Sequence, residues 1–225
     1  HSTSTDDGRT WSPRRWMDVT PHRGASPVTE AIIPLPNGVL AQPYETWKDF
    51  CVDRPPDQAA YLRLSHDGGK TWPGFSTMAK HPLHKKYYWD GRIGRHPQTG
   101  QFVGTYWTHD TTLGTDVDIH ISWGSPDGMS WTKPVGTGVS GQHCMPIPLG
   151  GDRVMFVYPD RKVVNGIGAS LSDDFGETWN AAPQLAVYES TVGTESGAQG
   201  KRSQQELWDD MKAWRFGHPR GVLLP

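Results

Sequence analysis

Three carboxylates, three arginines and two histidines stand out in this chain for the chemistry they could do together: Glu45, Asp90 and Asp110; Arg92, Arg161 and Arg220; His143 and His218. A carboxyl group placed at a reacting centre can give or take a proton. A guanidinium is a planar fork that grips a carboxylate through two hydrogen bonds. The ten histidines include no His-x-x-x-His or comparable metal-ligand spacing, so neither a metal nor another cofactor is expected. The plainer reading of each carboxylate is a capped turn or a surface ion pair. The plainer reading of each arginine is a partner for a neighbour such as Asp90 or Asp160. The choice depends on whether the fold gathers these groups at one end.

The elements that would gather them are announced by a repeated octad. "STDDGRTW" runs from Ser4 to Trp11, "SHDGGKTW" from Ser65 to Trp72 and "SDDFGETW" from Ser172 to Trp179. A copy one residue shorter, "SPDGMSW", runs from Ser125 to Trp131. Each is expected to be a strand reversal. Glycine takes a backbone conformation that other residues resist. The serine and aspartate side chains accept hydrogen bonds from turn amides. The tryptophan folds back as a large apolar plug. Asp6, Asp67 and Asp174 are therefore read as folding devices rather than catalysts.

Between octads the same order of elements recurs. An apolar run comes first ("VTEAIIPLP", "YWDGRIGRHP", "QHCMPIPL"), then a turn ("PNG", "QTG", "GGD"). A second run follows ("GVLAQPYE", "QFVGTYWTHD", "RVMFVYPDR"), then a loop, then a third ("AAYLRLS", "VDIHISWGS", "GIGASLS") that enters the octad. Strand, turn, strand, loop, strand and octad describe one four-stranded antiparallel blade of a β-propeller. Abundant glycine (26), proline (19) and tryptophan (11) fit many short strands with cores of large rings. In such a blade the starts of first strands and the ends of second strands share one rim, opposite the octads. Glu30, Asp90 with Arg92, Gln142 with His143, and His218 with Arg220 lie at first-strand starts. Tyr44–Glu45, His109–Asp110 and Asp160–Arg161 lie at second-strand ends.

The octad Ser-x-Asp-x-Gly-x-Thr-Trp is the Asp-box, or BNR repeat, and through it nearly the whole chain resembles the sialidase (neuraminidase) superfamily. The resemblance implies an all-β fold, a six-bladed propeller when complete, and removal of a terminal acidic sugar of the sialic acid type. It also implies three arginines clamping the sugar carboxylate, for which Arg92, Arg161 and Arg220 are the candidates, with His143 and His218 beside them. Asp90, Glu45 and Asp110 are the acid/base candidates, whereas the nucleophile in the superfamily is a tyrosine assisted by a glutamate. The superfamily's Arg-Ile-Pro motif is absent; "GRIG" at Gly91–Gly94 shares only Arg-Ile. Asp-boxes mark a fold more than an activity. Alternatives are therefore a non-catalytic propeller that binds glycan or protein, and a different glycosidase or polysaccharide lyase. By resemblance the location is secreted or periplasmic.

Length and charge bound the rest. The 225 residues hold three complete blades at about 21–80, 81–138 and 139–188, a blade edge over 1–20 and the start of another blade over 217–225. The chain is read as one partial propeller domain within a larger one. An insertion over 189–216 breaks the repeat, and its second half reads as a helix. There Ser203 and Glu206 form a capping box, and Leu207, Met211 and Trp214 recur at helical spacing. A formal net charge of −2 gives no reason to expect nucleic acid, and no apolar run approaches the ~18 residues of a membrane helix. Cys51 and Cys144 are either a disulfide or two buried thiols.

Overall fold

A computed structural model of the chain describes residues 1–22, 26–47, 58–161, 164–180, 185–190 and 217–223. It is an all-β structure of three antiparallel sheets that follow one another along the sequence. The first sheet has β1 (Ile33–Pro34), β2 (Leu40–Glu45), β3 (Ala60–Ser65) and β4 (Gly74–Ala79) in that order. The second has β5 (Lys86–Arg95), β6 (Phe102–Asp110), β8 (His120–Gly124) and β9 (Val135–Gly136), with β7 (Thr115–Asp116) also pairing with β6. The third runs β10 (Met145–Gly150), β11 (Arg153–Asp160), β12 (Gly166–Ser172) and β13 (Leu185–Glu189). Three consecutive sheets of this kind are consistent with a β-propeller-like fold. Among the described residues no helix is long and apolar enough to cross a membrane. The helix expected over 203–214 lies outside the described residues, as does Cys51.

Two apolar layers join the sheets. Leu62, Leu64 and Met78 of the first sheet pack with Ile93, Phe102 and Tyr106 of the second. Val103, Ile119 and Ile121 of the second pack with Val154, Phe156 and Tyr158 of the third. The large rings also carry polar ends, and these are satisfied in the same way in both sheets. Tyr106 Oη pairs with Ser122 Oγ at 2.7 Å, and Tyr158 Oη with Ser170 Oγ at 2.8 Å. Buried hydroxyls also cross between sheets: Thr29 Oγ1 donates to the Gly91 carbonyl at 2.7 Å, and Thr105 Oγ1 to the Cys144 carbonyl at 2.8 Å. Cys144 itself is a buried thiol, pushed well above its ordinary pKa by that burial.

The octads form the expected turns, bond for bond. Ser4, Ser65 and Ser172 donate Oγ–H to Asp6, Asp67 and Asp174 at 2.8, 2.8 and 2.6 Å. The same serine oxygens accept the amides of Gly8, Gly69 and Gly176 at 2.8, 2.8 and 2.9 Å. Thr10, Thr71 and Thr178 donate hydroxyl protons to the aspartates at 2.6, 2.6 and 2.5 Å. Gly8, Gly69 and Gly176 have φ of +81°, +84° and +89°, which explains the glycine. The tryptophan's role varies. Trp72 is 4% exposed and Trp179 stacks on Phe156 with ring centroids 3.5 Å apart, whereas Trp11 is 64% exposed. No strand flanks the first octad among the described residues of 1–20, so its indole has no layer to enter.

Two first strands depart from the sequence reading. The run "VTEAIIPLP" yields only two paired residues in β1 plus a single bridge from Val28 to Tyr44. Pro27, Pro34 and Pro36 carry no N–H and cannot sustain a ladder. In β5 the pairing shifts register between Trp89 and Arg92, opposite Tyr106 of β6. Asp90 and Gly91 form this bulge, and Asp90 has a φ of +49°.

Candidate functional site

The antiparallel pairing settles which end of each sheet carries which groups. In the first sheet Glu45 pairs with Ala60 at one end of β2, and Ser65, which enters the octad, pairs with Leu40 at the other. Second-strand ends therefore stand opposite the octad turns, as the sequence pattern requires.

The bulge in β5 turns Asp90 toward Glu45. A bulged residue leaves its amide outside the ladder. Glu45 Oε2 accepts that amide at 2.6 Å, and Glu45 Oε1 accepts the indole N–H of Trp47. Glu45 is fully buried. Burial and then the neighbouring Asp90 carboxylate raise its pKa well above the ordinary range, against the pull of these hydrogen bonds and of Arg92. Asp90 is also raised by burial, while His218 and Arg92 oppose the rise. Two adjoining carboxyl groups that resist ionisation hold a proton more tightly than free carboxyl groups do.

A cationic group adjoins this pair, centred on Glu30. The Glu30 carboxylate, nearly buried, takes Arg92 Nη1 at 3.3 Å on one oxygen and Arg220 on the other. It also accepts the Ala31 amide at 2.9 Å. Arg92 Nη2 reaches His218 Nδ1 at 3.5 Å. Arg92 Nε is buried and has no hydrogen-bond partner among the described residues. The His218 ring stacks on His143, centroids 4.2 Å apart and planes 19° from parallel, and its backbone N–H donates to His143 Nε2. Burial, followed by the charges of His218, Arg92 and Arg161, pushes the His143 imidazole well below its ordinary pKa. Arg161 bonds Gln142 and is pushed down to about 10 by burial, against the attraction of Asp116.

Of the residues picked from sequence, the fold thus connects Glu45, Asp90, Arg92, Arg161, Arg220, His143 and His218 in one contiguous network. Asp110 is the exception. Its carboxylate accepts the amides of Thr112 at 2.8 Å and Leu113 at 3.0 Å, and Lys86 Nζ lies 3.7 Å away. The upward pull of its slight burial is outweighed by these partners, and the group is held below the ordinary range. It is a turn cap, ionised at neutral pH and poorly suited to donate a proton.

Three contributors were given no role from sequence, although Glu30 and Gln142 stood on the expected rim. Nothing in the context of Glu30 marks it as the common partner of two arginines. Trp47 holds Glu45. Gln142 links Arg161 to Asp116, the latter contact at 3.4 Å. Beside the carboxyl pair lies a face of rings whose alternation along β5 and β6 is visible in the sequence. Trp89 stacks on Trp47 at 5.9 Å and meets Trp107 edge-on at 5.0 Å; Tyr87 stacks on His109 at 6.1 Å.

No family model matches the chain, and no curated protein does. Solved structures do. One is a protein of unknown function from Dyadobacter fermentans, at 21% identity and a TM-score of 0.64, covering 78% of this chain and 48% of that one. Another is a Hadza microbial sialidase, at 17% identity and a TM-score of 0.59, covering 82% of this chain and 39% of that one. The likeness is one of fold: sialidase-like and all-β. The chain spans about half or less of the length of these structures.

Proposed function

We propose that this chain carries part of the site of a sialidase-like exo-glycosidase that removes a terminal acidic sugar from a glycoconjugate. On this reading the three sheets are blades of a propeller, six-bladed when complete, and the protein works outside the cytoplasm on glycans. The observation that carries the proposal is the adjacency of a guanidinium cluster to a protonatable carboxyl pair. Arg92, Arg161 and Arg220 face the carboxylate of the sugar, and the unpartnered Nε of buried Arg92 is a donor awaiting an acceptor. Asp90, raised by burial, delivers a proton to the glycosidic oxygen as its bond to the sugar carbon breaks, and water supplies the oxygen that replaces it on that carbon and returns a proton to the site. Glu45 is the second proton-holding group of the pair. Glu30 keeps the forks of Arg92 and Arg220 in register before the ligand arrives.

The test is turnover of a fluorogenic sialoside by the full chain and by Arg220→Ala and Asp90→Asn. Loss of about a hundredfold or more in both variants supports the assignment. Unchanged turnover in Arg220→Ala removes that residue from the clamp. Glycan-array binding without product release supports a second reading, a non-catalytic glycan- or protein-binding propeller. One feature favours it: Glu30 already pairs with two of the arginines. Release of uronic-acid or neutral sugars instead points to another glycosidase or a lyase on the same scaffold.

A further inference from the structure

The segment Gly217–Leu223 has no regular secondary structure, yet it touches the candidate site from end to end. It reaches the first sheet through Arg220 on Glu30 and the second through His218 Nδ1, 3.5 Å from Arg92. On the third it meets His143 through the His218 N–H and the ring stack. At Gly217 a Cβ would lie 3.1 Å from Arg161 Nη2 and 3.7 Å from the His143 ring, so the backbone there runs in contact with both side chains. At Gly221 a Cβ would lie 2.3 Å from Ile147 Cδ1 of β10. The path is therefore closely fitted. Of these contacts, the His218 N–H bond is the one that falls on a buried imidazole; Arg220 falls on the Glu30 carboxylate and Arg92 on the His218 ring itself. His143 Nε2 must be unprotonated to accept the His218 N–H, and a second proton on the ring turns that acceptor into a competing donor.

We propose that His143 is a positioning residue, a proton-sensitive latch that docks the strap Gly217–Leu223 across the site and so places His218 and Arg220 there. The charged and titratable groups around it are Arg92 from β5, Arg161 following β11 and His218 from the strap itself. Asp90 faces His218, Asp116 acts on Arg161, and Glu30 holds Arg220. Burial, and then the guanidinium groups of Arg92 and Arg161, keep the latch closed at neutral pH, since they oppose a charge on His143. Acidification opens it. The sign follows from linkage: the released imidazole takes up a proton more readily than the docked one. Docking is therefore complete above the ordinary imidazole value of 6.5 and weakens as pH falls below it. What the strap encloses rests on the proposed glycosidase site, but the docking does not.

The decisive measurement is amide hydrogen exchange of His218 in the full chain from pH 4 to 8, corrected for intrinsic exchange. Protection at pH 7.5 that falls by up to about tenfold per pH unit below ~6.5 is expected. In His218→Ala, which keeps the backbone donor, the slope should persist. In His143→Gln, which keeps an acceptor but cannot titrate, it should vanish. Should His143→Gln fail to fold, the fall in wild-type protection must level off where the native His143 ring resonances titrate. The latch is overturned by an unprotected His218 amide at pH 7.5, by a flat profile, or by a slope that disappears with His218 instead. Failure of the sugar assay leaves this readout untouched, so the two ideas fall separately.

Discussion

Glu45 and Glu30 are both buried carboxylates at the same end of the first sheet, and their surroundings give them opposite tasks. Glu30 faces two guanidinium groups and stays paired. Glu45 faces a second carboxyl group and resists ionisation. A carboxyl whose folded pKa is raised stabilises the fold below its ordinary value of 4.5, and that stability is lost as pH rises through the folded value. Wild-type stability should therefore decline above pH 4.5, by at most ~1.4 kcal/mol per pH unit for one proton. Glu45→Gln, which keeps the shape and one of the two hydrogen-bond acceptors, should flatten that slope whatever its fixed cost from the lost acceptor; urea unfolding between pH 4 and 8 reads the difference. Glu30→Ala should act the other way. It leaves buried Arg92 without its counter-ion, and loss of one partner of a buried pair costs about 3–5 kcal/mol. A midpoint shift of the same urea curves at pH 7 checks it.

At the scale of the element, the Asp-box turn is a closed set of hydrogen bonds around one aspartate. In Asp6 the Thr10 hydroxyl is the largest cause of a pKa lowered to about 2. In Asp174 burial pulls upward and is outweighed by Ser172 and Thr178, again giving about 2. Groups depressed in this way stabilise the fold above the ordinary carboxylate value of 3.8 and lose that contribution as pH falls through about 2. The melting temperature should drop between pH 4 and 2, and less steeply in Asp174→Asn. Turn glycines differ in what a methyl group would meet, as Gly38 between β1 and β2 and Gly176 in the third octad show. Gly38, with φ of +75°, has nothing within 4 Å of an added Cβ, whereas Gly176, with φ of +89°, would place its Cβ 2.6 Å from Ile121 Cδ1 of the neighbouring sheet. Gly38→Ala should cost only the backbone term of about 1–2 kcal/mol. Gly176→Ala should cost about 1–3 kcal/mol more through overpacking, as measured by calorimetry.

Across the whole molecule, the quantity that matters is how closely successive sheets approach. Gly94 of β5 has an ordinary strand conformation, so alanine there would carry no φ penalty. Its Cβ would nevertheless lie 2.9 Å from Pro148 Cδ and 3.0 Å from the Pro146 carbonyl oxygen of β10. Gly94→Ala should therefore destabilise the chain by about 1–3 kcal/mol purely through contact between sheets. Gly74, with nothing within 4 Å, is the matching control and should be almost silent. Equilibrium unfolding of the two variants, read by tryptophan fluorescence, separates sheet packing from strand propensity.

What could be read without coordinates was whatever depends on near neighbours. The octads gave away their own turns, because Ser, Asp, Gly and Thr satisfy one another within five residues. The recurring order of strands, and the opposition of second-strand ends to octad turns, followed from short-range pattern and antiparallel pairing. Proline placement should have warned that β1 would be brief. The site itself was legible only as a list of rim residues. Its assembly joins Glu45 to Asp90 across 45 positions, His143 to His218 across 75 and Glu30 to Arg220 across 190. No local preference encodes such pairs. The β5 bulge that aims Asp90 arises from the register of β5 against β6, and the turn that claims Asp110 competes with the site for the same carboxylate. Local chemistry alone determined the turns, the strands and their rim. Only the packing of one sheet on the next decided which rim charges are buried together, because burial and charge proximity are properties of the space between elements.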